Sequence, residues 1–281
     1  MTALVQNKAG APAGERRAAR VSPWRRQLQG LFRHTAQLLL TCVALLVLWQ
    51  VLIAVWQPST VVLPSPRLVG VELKDQMALF AKNAVPTLVE AAGGFLIAVV
   101  LGVPLGTLLS RPYRICRAFE PLMLITQVFP KIAVAPLFIV WFGFGVTPKF
   151  LFVLLLTFFP ITLNTIDGYR SLPRDLRDLA TVLGMGPLQR LRSVEFPHAL
   201  PQILTGMKVS ASFGITAAIV YEFIGSNTGL GYIVGTAQAN LATPLMFAAL
   251  VWVAVLGFAF YGLIALLERI AIPWHISQRG G

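Results

Sequence analysis

Apolar residues gather into six runs, at roughly 37–56, 84–110, 119–142, 149–168, 201–224 and 244–267, and most polar residues fall between them. A helix needs ~20 mostly apolar residues to cross a bilayer, and these runs meet that length. A backbone in lipid must satisfy its own hydrogen bonds, so continuous runs predict helices. They do not alternate, which argues against a β-barrel. The pattern defines an all-α, polytopic membrane protein with about six transmembrane helices. No small-residue cleavage site follows the first run, which predicts a retained anchor rather than a removed signal peptide.

Residues 1–21 are polar, basic and rich in Ala and Gly, a composition that predicts disorder. Ser22-Pro23 marks a helix start. Trp24, Leu28, Leu31 and Phe32 share one face beyond it, so this helix is either amphipathic on the inner membrane surface or an extension of the first span. Between the first two runs, Leu63-Pro64-Ser65-Pro66 predicts a rigid extended turn and then a short surface helix.

Small residues recur every four positions at Gly94, Ala98, Gly102 and Gly106, and again at Gly206, Ser210 and Gly214. Such stripes let helix backbones approach closely, by plain packing within one subunit more than by a sliding surface. Pro130, Pro136 and Pro160 fall inside runs, where a missing N–H bends the helix.

The longest patterned polar segment is 171–201, SLPRDLRDLATVLGMGPLQRLRSVEFPHALP. Ser171 and Pro173 can start a helix. Leu176, Leu179, Ala180 and Leu183 give it an apolar stripe, with Arg174, Arg177 and Asp178 on more polar sides. Gly184 and Gly186 can end it, since glycine takes the left-handed conformation that closes a helix. A second short helix carries Leu188, Leu191 and Val194 as far as Pro197. A folded, basic element between two spans is a docking surface for a partner.

Charge orients the chain. The formal net charge is +12, and with the N-terminus inside, seventeen of the 23 Lys and Arg fall in inner segments. Only Arg67, Lys74, Lys82 and Lys149 fall outside. This bias puts both termini and 171–201 in the cytoplasm. Topology explains the basic residues better than nucleic-acid binding does. Cys42, Cys116 and the scattered His34, His198 and His275 form no metal spacing. Glu90, Glu120, Lys131, Lys208 and Glu222 lie within or at the ends of spans, where ionisable groups are costly. Glu90 and Glu222 are placed near the outer end, softened by water. Lys131 can attract an anionic or electron-rich solute, pair with Glu90, Glu120 or Glu222, or snorkel from a shifted span. Trp141, Phe158 and Phe159 are further path candidates, and span packing explains them equally well.

The loop resembles the signature of type I ATP-binding cassette importer permeases. That signature is Glu-Ala-Ala, three residues, Gly, nine residues, Ile, one residue, Leu-Pro. Here stand Asp178-Leu179-Ala180, Gly184, Val194 and Phe196-Pro197 at the same spacing. Ala133, Pro136 and Leu137 leading to Trp141-Phe142-Gly143-Phe144-Gly145 resemble the branch that moves sulfonates, nitrate, taurine and thiamine-precursor pyrimidines. So do Leu63-Pro64-Ser65-Pro66, Glu222 with Gly229-Leu230-Gly231-Tyr232, and Glu268 near Trp274. The resemblance implies a coupling helix over roughly 174–187 that seats on an ATPase subunit. Its expected contact residues are Arg174, Arg177, Asp178, Ala180, Gly184, Met185, Gly186 and Pro187. It also implies a solute-binding protein, a second permease copy in a homodimer, and the bacterial inner membrane.

The chain has no phosphate loop of the G-x-x-x-x-G-K-[ST] kind and no Gly-Lys pair, so ATP is expected on the partner and no cofactor on this chain. Enzyme chemistry is not expected, because no nucleophile–base pair or metal pair falls at depth. The expected domains are a basic tail with its helix at 1–36, a permease domain at 37–275 containing the coupling loop, and a tail at 276–281. The competing function is a stand-alone ion-coupled carrier. The solute itself does not follow from the sequence.

Overall fold

The computed structural model describes residues 23–110, 125 and 128–273, with side chains at 37 and from 40 onward. Expectations for 1–22, for Cys116 and Glu120, and for Trp274 and beyond lie outside the described residues. The chain divides into two compact units, Met1–Val47 with Gly281 and Leu48–Gly280. Every described element is helical or a turn.

Helix α1 is Pro23–Trp56, one continuous helix whose start coincides with the Ser22-Pro23 signal. Ser65 caps α2 (Pro66–Asp75), its Oγ accepting from the Leu68 N–H at 3.3 Å, and Pro66 sits where its missing N–H is harmless. Helix α3 is Met77–Leu109. A 3-10 turn, Lys131–Val134, leads into α4 (Ala135–Phe142). Helix α5 is Val146–Arg170, α6 Arg174–Val182, and α7 Pro187–Arg190. A π turn at Leu191–Glu195 joins α7 to α8 (Phe196–Gly225). Helices α9 (Leu230–Ala239) and α10 (Thr243–Ala271) complete the chain.

Four helical stretches are long and apolar enough to cross a membrane: α3, α5, Pro187–Gly225 and α10. Two shorter apolar helices, Leu40–Trp56 and Lys131–Phe142, fall on the first and third sequence runs. The third run is broken where a continuous span was expected. Pro130 cannot donate to a helical ladder and pushes Phe129 away from helical geometry, so regular helix resumes only at Ala135.

The second loop helix does not stop at Pro197 either. It runs on into α8 as one 39-residue stretch. The π turn lies just before the proline, which removes one donor from the ladder there.

Helix α5 is the centre of the bundle, packed between α3 and α8. Both small-residue stripes face it. A Cβ on Gly94 would lie 2.5 Å from Val153 Cβ, and one on Gly106 2.7 Å from Thr165 Cβ. From the other side, a Cβ on Gly206 would lie 2.5 Å from Asn164 Cβ, and Ser210 Oγ donates to the Thr157 carbonyl at 2.9 Å. The stripes therefore serve packing within one chain. Gly94→Val should destabilise the bundle by about 1–3 kcal/mol through overpacking. Thermal unfolding of the purified chain in detergent reads this, and an unchanged midpoint would refute the close approach.

The core between these helices holds Phe95, Phe152, Ile161, Ile215, Tyr221 and Phe260. A second core at the end of the bundle carrying α2 and α9 holds Val69, Phe80, Leu230 and Ile233.

Candidate functional site

Helix α6 and its turn protrude from the opposite end of the bundle. The helix begins at Arg174, after Pro173 in extended conformation. Ser171 makes no cap to it; its hydroxyl donates back to the Gly168 carbonyl at 2.9 Å. The helix closes at Gly184, with φ +65°. Gly184 N–H donates to Thr181 O at 3.0 Å, and Met185 N–H to Ala180 O at 3.1 Å. This is the paired closure that a left-handed glycine permits. Gly186 does not share that role: at φ −64°, ψ 159° it is extended and precedes Pro187, the first residue of α7.

The leucines of the apolar stripe, and Val182 beside them, face outward. Leu179 is 52% exposed, Leu183 62%, and Val182 84%. Leu176 and Leu188 are also exposed, as are Arg174, Arg177, Asp178, Gly184, Gly186 and Pro187. Met185 is half-buried. Ala180 departs from the expected surface, being buried within its own chain. Its carbonyl accepts from Met185 N–H in the closing turn, and its side chain is not free for a partner. Arg190 Nε donates to Glu195 Oε1 at 2.8 Å, fixing the start of the long α7–α8 stretch.

The charges within the spans separate into distinct settings. Lys149 and Glu90 form a buried ion pair, Nζ to Oε1 at 2.5 Å, and Lys149 also donates to Ser226 Oγ at 2.8 Å. Lys149, counted among the outer cations, is 6% exposed in the first turn of α5.

Glu222 lies beside a second set of donors. Thr87 Oγ1 donates to its carboxylate, 2.7 Å from Oε1 and 2.9 Å from Oε2, and accepts from Leu230 N–H at 2.9 Å. Gly231 N–H donates to Glu222 Oε2 at 2.8 Å, and Gly229 N–H to Asn83 Oδ1 at 2.9 Å. Helix α9 has no side-chain cap of its own, since its N-cap is Gly229 at φ +104°. Glu222 and Thr87, from two other helices, supply the missing acceptors, and a carboxylate is favourable at a helix N-terminus. A side chain at Gly229 would run into Glu222.

Both carboxylates are thus enclosed, Glu90 4% and Glu222 1% exposed, and not softened by water as expected. Glu222 holds α9 in place and does not face an open path. Lys208 Nζ bonds Glu268 Oε2 at 2.7 Å, linking α8 to α10.

Lys131 pairs with neither Glu90 nor Glu222. Its ammonium lies 5.1 Å from the centre of the Phe159 ring. Phe158 and Phe159, with Phe138 and Phe142, line an apolar pocket of about 360 Å³ between α3, α4 and α5. Trp141 is exposed on α4, its ring 6.2 Å from that of Phe138.

Sequence reasoning missed α9, the Lys149–Glu90 pair and the roles of Thr87 and Asn83. The one available signal was a cation at the edge of a run facing an intraspan Glu in another run. Nothing in the chain order pairs residues so far apart.

The loop and the bundle belong together in one known family. Residues 81–271 match the family described as binding-protein-dependent transport system inner membrane component. The riboflavin transport system permease protein of Chloroflexus aurantiacus is 37% identical over 260 residues, covering 92% of this chain and 97% of that one. The formylaminopyrimidine transport permease protein of Halalkalibacterium halodurans is 34% identical over 236 residues, covering 83% and 94%. Among solved structures, the inward-facing MetNI methionine ABC transporter matches with TM-score 0.56 at 19% identity, covering 68% of this chain and 97% of that chain. That likeness concerns the fold alone.

The chain belongs to the binding-protein-dependent inner-membrane permease family. It is a permease subunit of an ATP-binding cassette importer, and the stand-alone carrier finds no support. In this family the permease is generally non-catalytic and membrane-spanning, and a partner ATPase handles ATP.

Proposed function

We propose that two identical copies of this chain form the translocation path of the importer, each seating residues 174–187 on an ATP-hydrolysing subunit in the cytoplasm. The observation that supports this is the exposed apolar face of α6, with Leu179, Val182 and Leu183 uncovered on a short helix between two spans. Leucines and a valine so exposed on a structured helix favour a partner groove. Arg174, Arg177, Asp178, Met185, Gly186 and Pro187 form the rim of that surface. Gly184 sets the turn, and Ala180 is buried behind that surface.

ATP-driven closure of the partners would move the two α6 helices and switch the spans between outward and inward access. A solute-binding protein delivers a small polar or anionic solute to the α2/α9 end, which faces outward. Both termini are cytoplasmic. Residues 1–36 and 276–281 flank a permease domain at 37–275. Lys131, Trp141 and Phe158 are proposed for the path, with Glu222 reassigned to holding α9.

Co-purification of the tagged full chain in mild detergent tests this reading. Expected are a cassette ATPase in the eluate, ATP hydrolysis, and a mass corresponding to two permeases. Recovery of the chain alone, without hydrolysis, would overturn it.

A further inference from the structure

We propose that Lys131 and the Phe159 ring beneath it form an anion-recognition site in the path, selecting solutes that carry a negative group on an aromatic or apolar body. This deepens the permease reading and rests on it.

Lys131 follows the break at Pro130, its N–H bonded to Phe129 O at 2.8 Å and its residue opening a 3-10 turn. Irregular backbone at membrane depth is tolerated only against protein or a cavity, not against lipid. Phe159 lies thirteen residues beyond Val146, roughly 20 Å along α5 at ~1.5 Å per residue. The ammonium over that ring is therefore near mid-span, beyond easy snorkelling reach.

An ammonium at such depth is retained against its cost by a counter-ion or by function. Among the described residues, Glu90 is taken by Lys149, Glu195 by Arg190 and Glu268 by Lys208. Glu222 is held by Thr87 and Gly231. Lys131 has no carboxylate partner among the described residues, only the face of Phe159. A ring face attracts a cation weakly compared with an anion, so the ammonium remains open to one.

Phe159 meets Phe158 edge-on, with centroids 5.4 Å apart, and both line the apolar pocket that Phe138 and Phe142 share. A cation beside an aromatic wall fits a solute with one charged end and one apolar face.

The test measures equilibrium binding of radiolabelled benzenesulfonate, and of its neutral analogue methyl phenyl sulfone, to the full transporter in lipid nanodiscs. Wild type should bind benzenesulfonate saturably. Lys131→Met should weaken that binding roughly tenfold or more, the loss expected for a charge-assisted bond. Lys131→Arg should stay within about threefold of wild type, and sulfone binding should be the same in all three. Because Lys131→Met removes a cation with no carboxylate partner among the described residues, it should unfold at or above the wild-type temperature. The proposal is overturned if wild type shows no saturable benzenesulfonate binding, or if Lys131→Met binds it unchanged. A lowered unfolding temperature with unchanged binding would assign Lys131 to packing. Loss of the ATPase from the wild-type preparation, by contrast, would count against the permease reading itself.

Discussion

Lys149→Met is expected to cause a large loss of stability, about 3–5 kcal/mol, the usual cost of removing one partner from a buried ion pair. Lys149 and Glu90 are both nearly inaccessible to solvent. Without the ammonium, Glu90 Oε1 loses its partner, while Oε2 already has none among the described residues. The double substitution Lys149→Met with Glu90→Leu should recover most of the loss, because an apolar pair leaves no charge uncompensated. Thermal unfolding in detergent, followed by gel filtration, compares the three variants. If the double variant is no more stable than Lys149→Met alone, the loss is not due to an orphaned charge. The pair ties α3 to α5 beside Ser226, so the α9 end should loosen first.

Leu179→Asp combined with Leu183→Asp should abolish capture of the ATPase while leaving the permease itself stable. Both side chains are more than half exposed, so nothing in the chain's own core is lost. Buried apolar anchors at an interface commonly contribute ~2 kcal/mol or more each, so two charges placed there should weaken association by roughly a thousandfold. Asp178→Ala should matter far less, since an exposed ion pair contributes ~0–1 kcal/mol. A bulky residue at Gly184 is a poorer probe. Its φ of +65° makes any side chain strained, and the turn itself would suffer. The measurement is the ratio of ATPase to permease after affinity purification. Undiminished capture by the doubly charged variant would move the docking surface elsewhere.

The parts of the fold legible in the sequence are those set by local rules. The start of α2 followed from Ser65-Pro66, and the end of α6 from Gly184, because capping acts over three or four residues. The four long spans followed from run length. Helix α9 was not legible: its N-terminal N–H groups are satisfied by Thr87 and Glu222, distant in sequence, and no local cap announces it. The π turn before Pro197 was hidden for the opposite reason. A proline inside an apolar stretch looks like a stop, yet a widened turn carried the helix through it.

The sequence alone determined that the chain is a helical membrane protein, and the spacing of Asp178, Ala180, Gly184 and Pro197 pointed to its family, because hydropathy and motif spacing are one-dimensional quantities. The tertiary structure decided which charges neutralise one another. It paired Lys149 with Glu90, gave Glu222 to α9, buried Ala180, and left Lys131 on an aromatic ring. Electrostatic partnership inside a bilayer depends on distances of a few ångströms between helices. Only packing around α5 sets those distances.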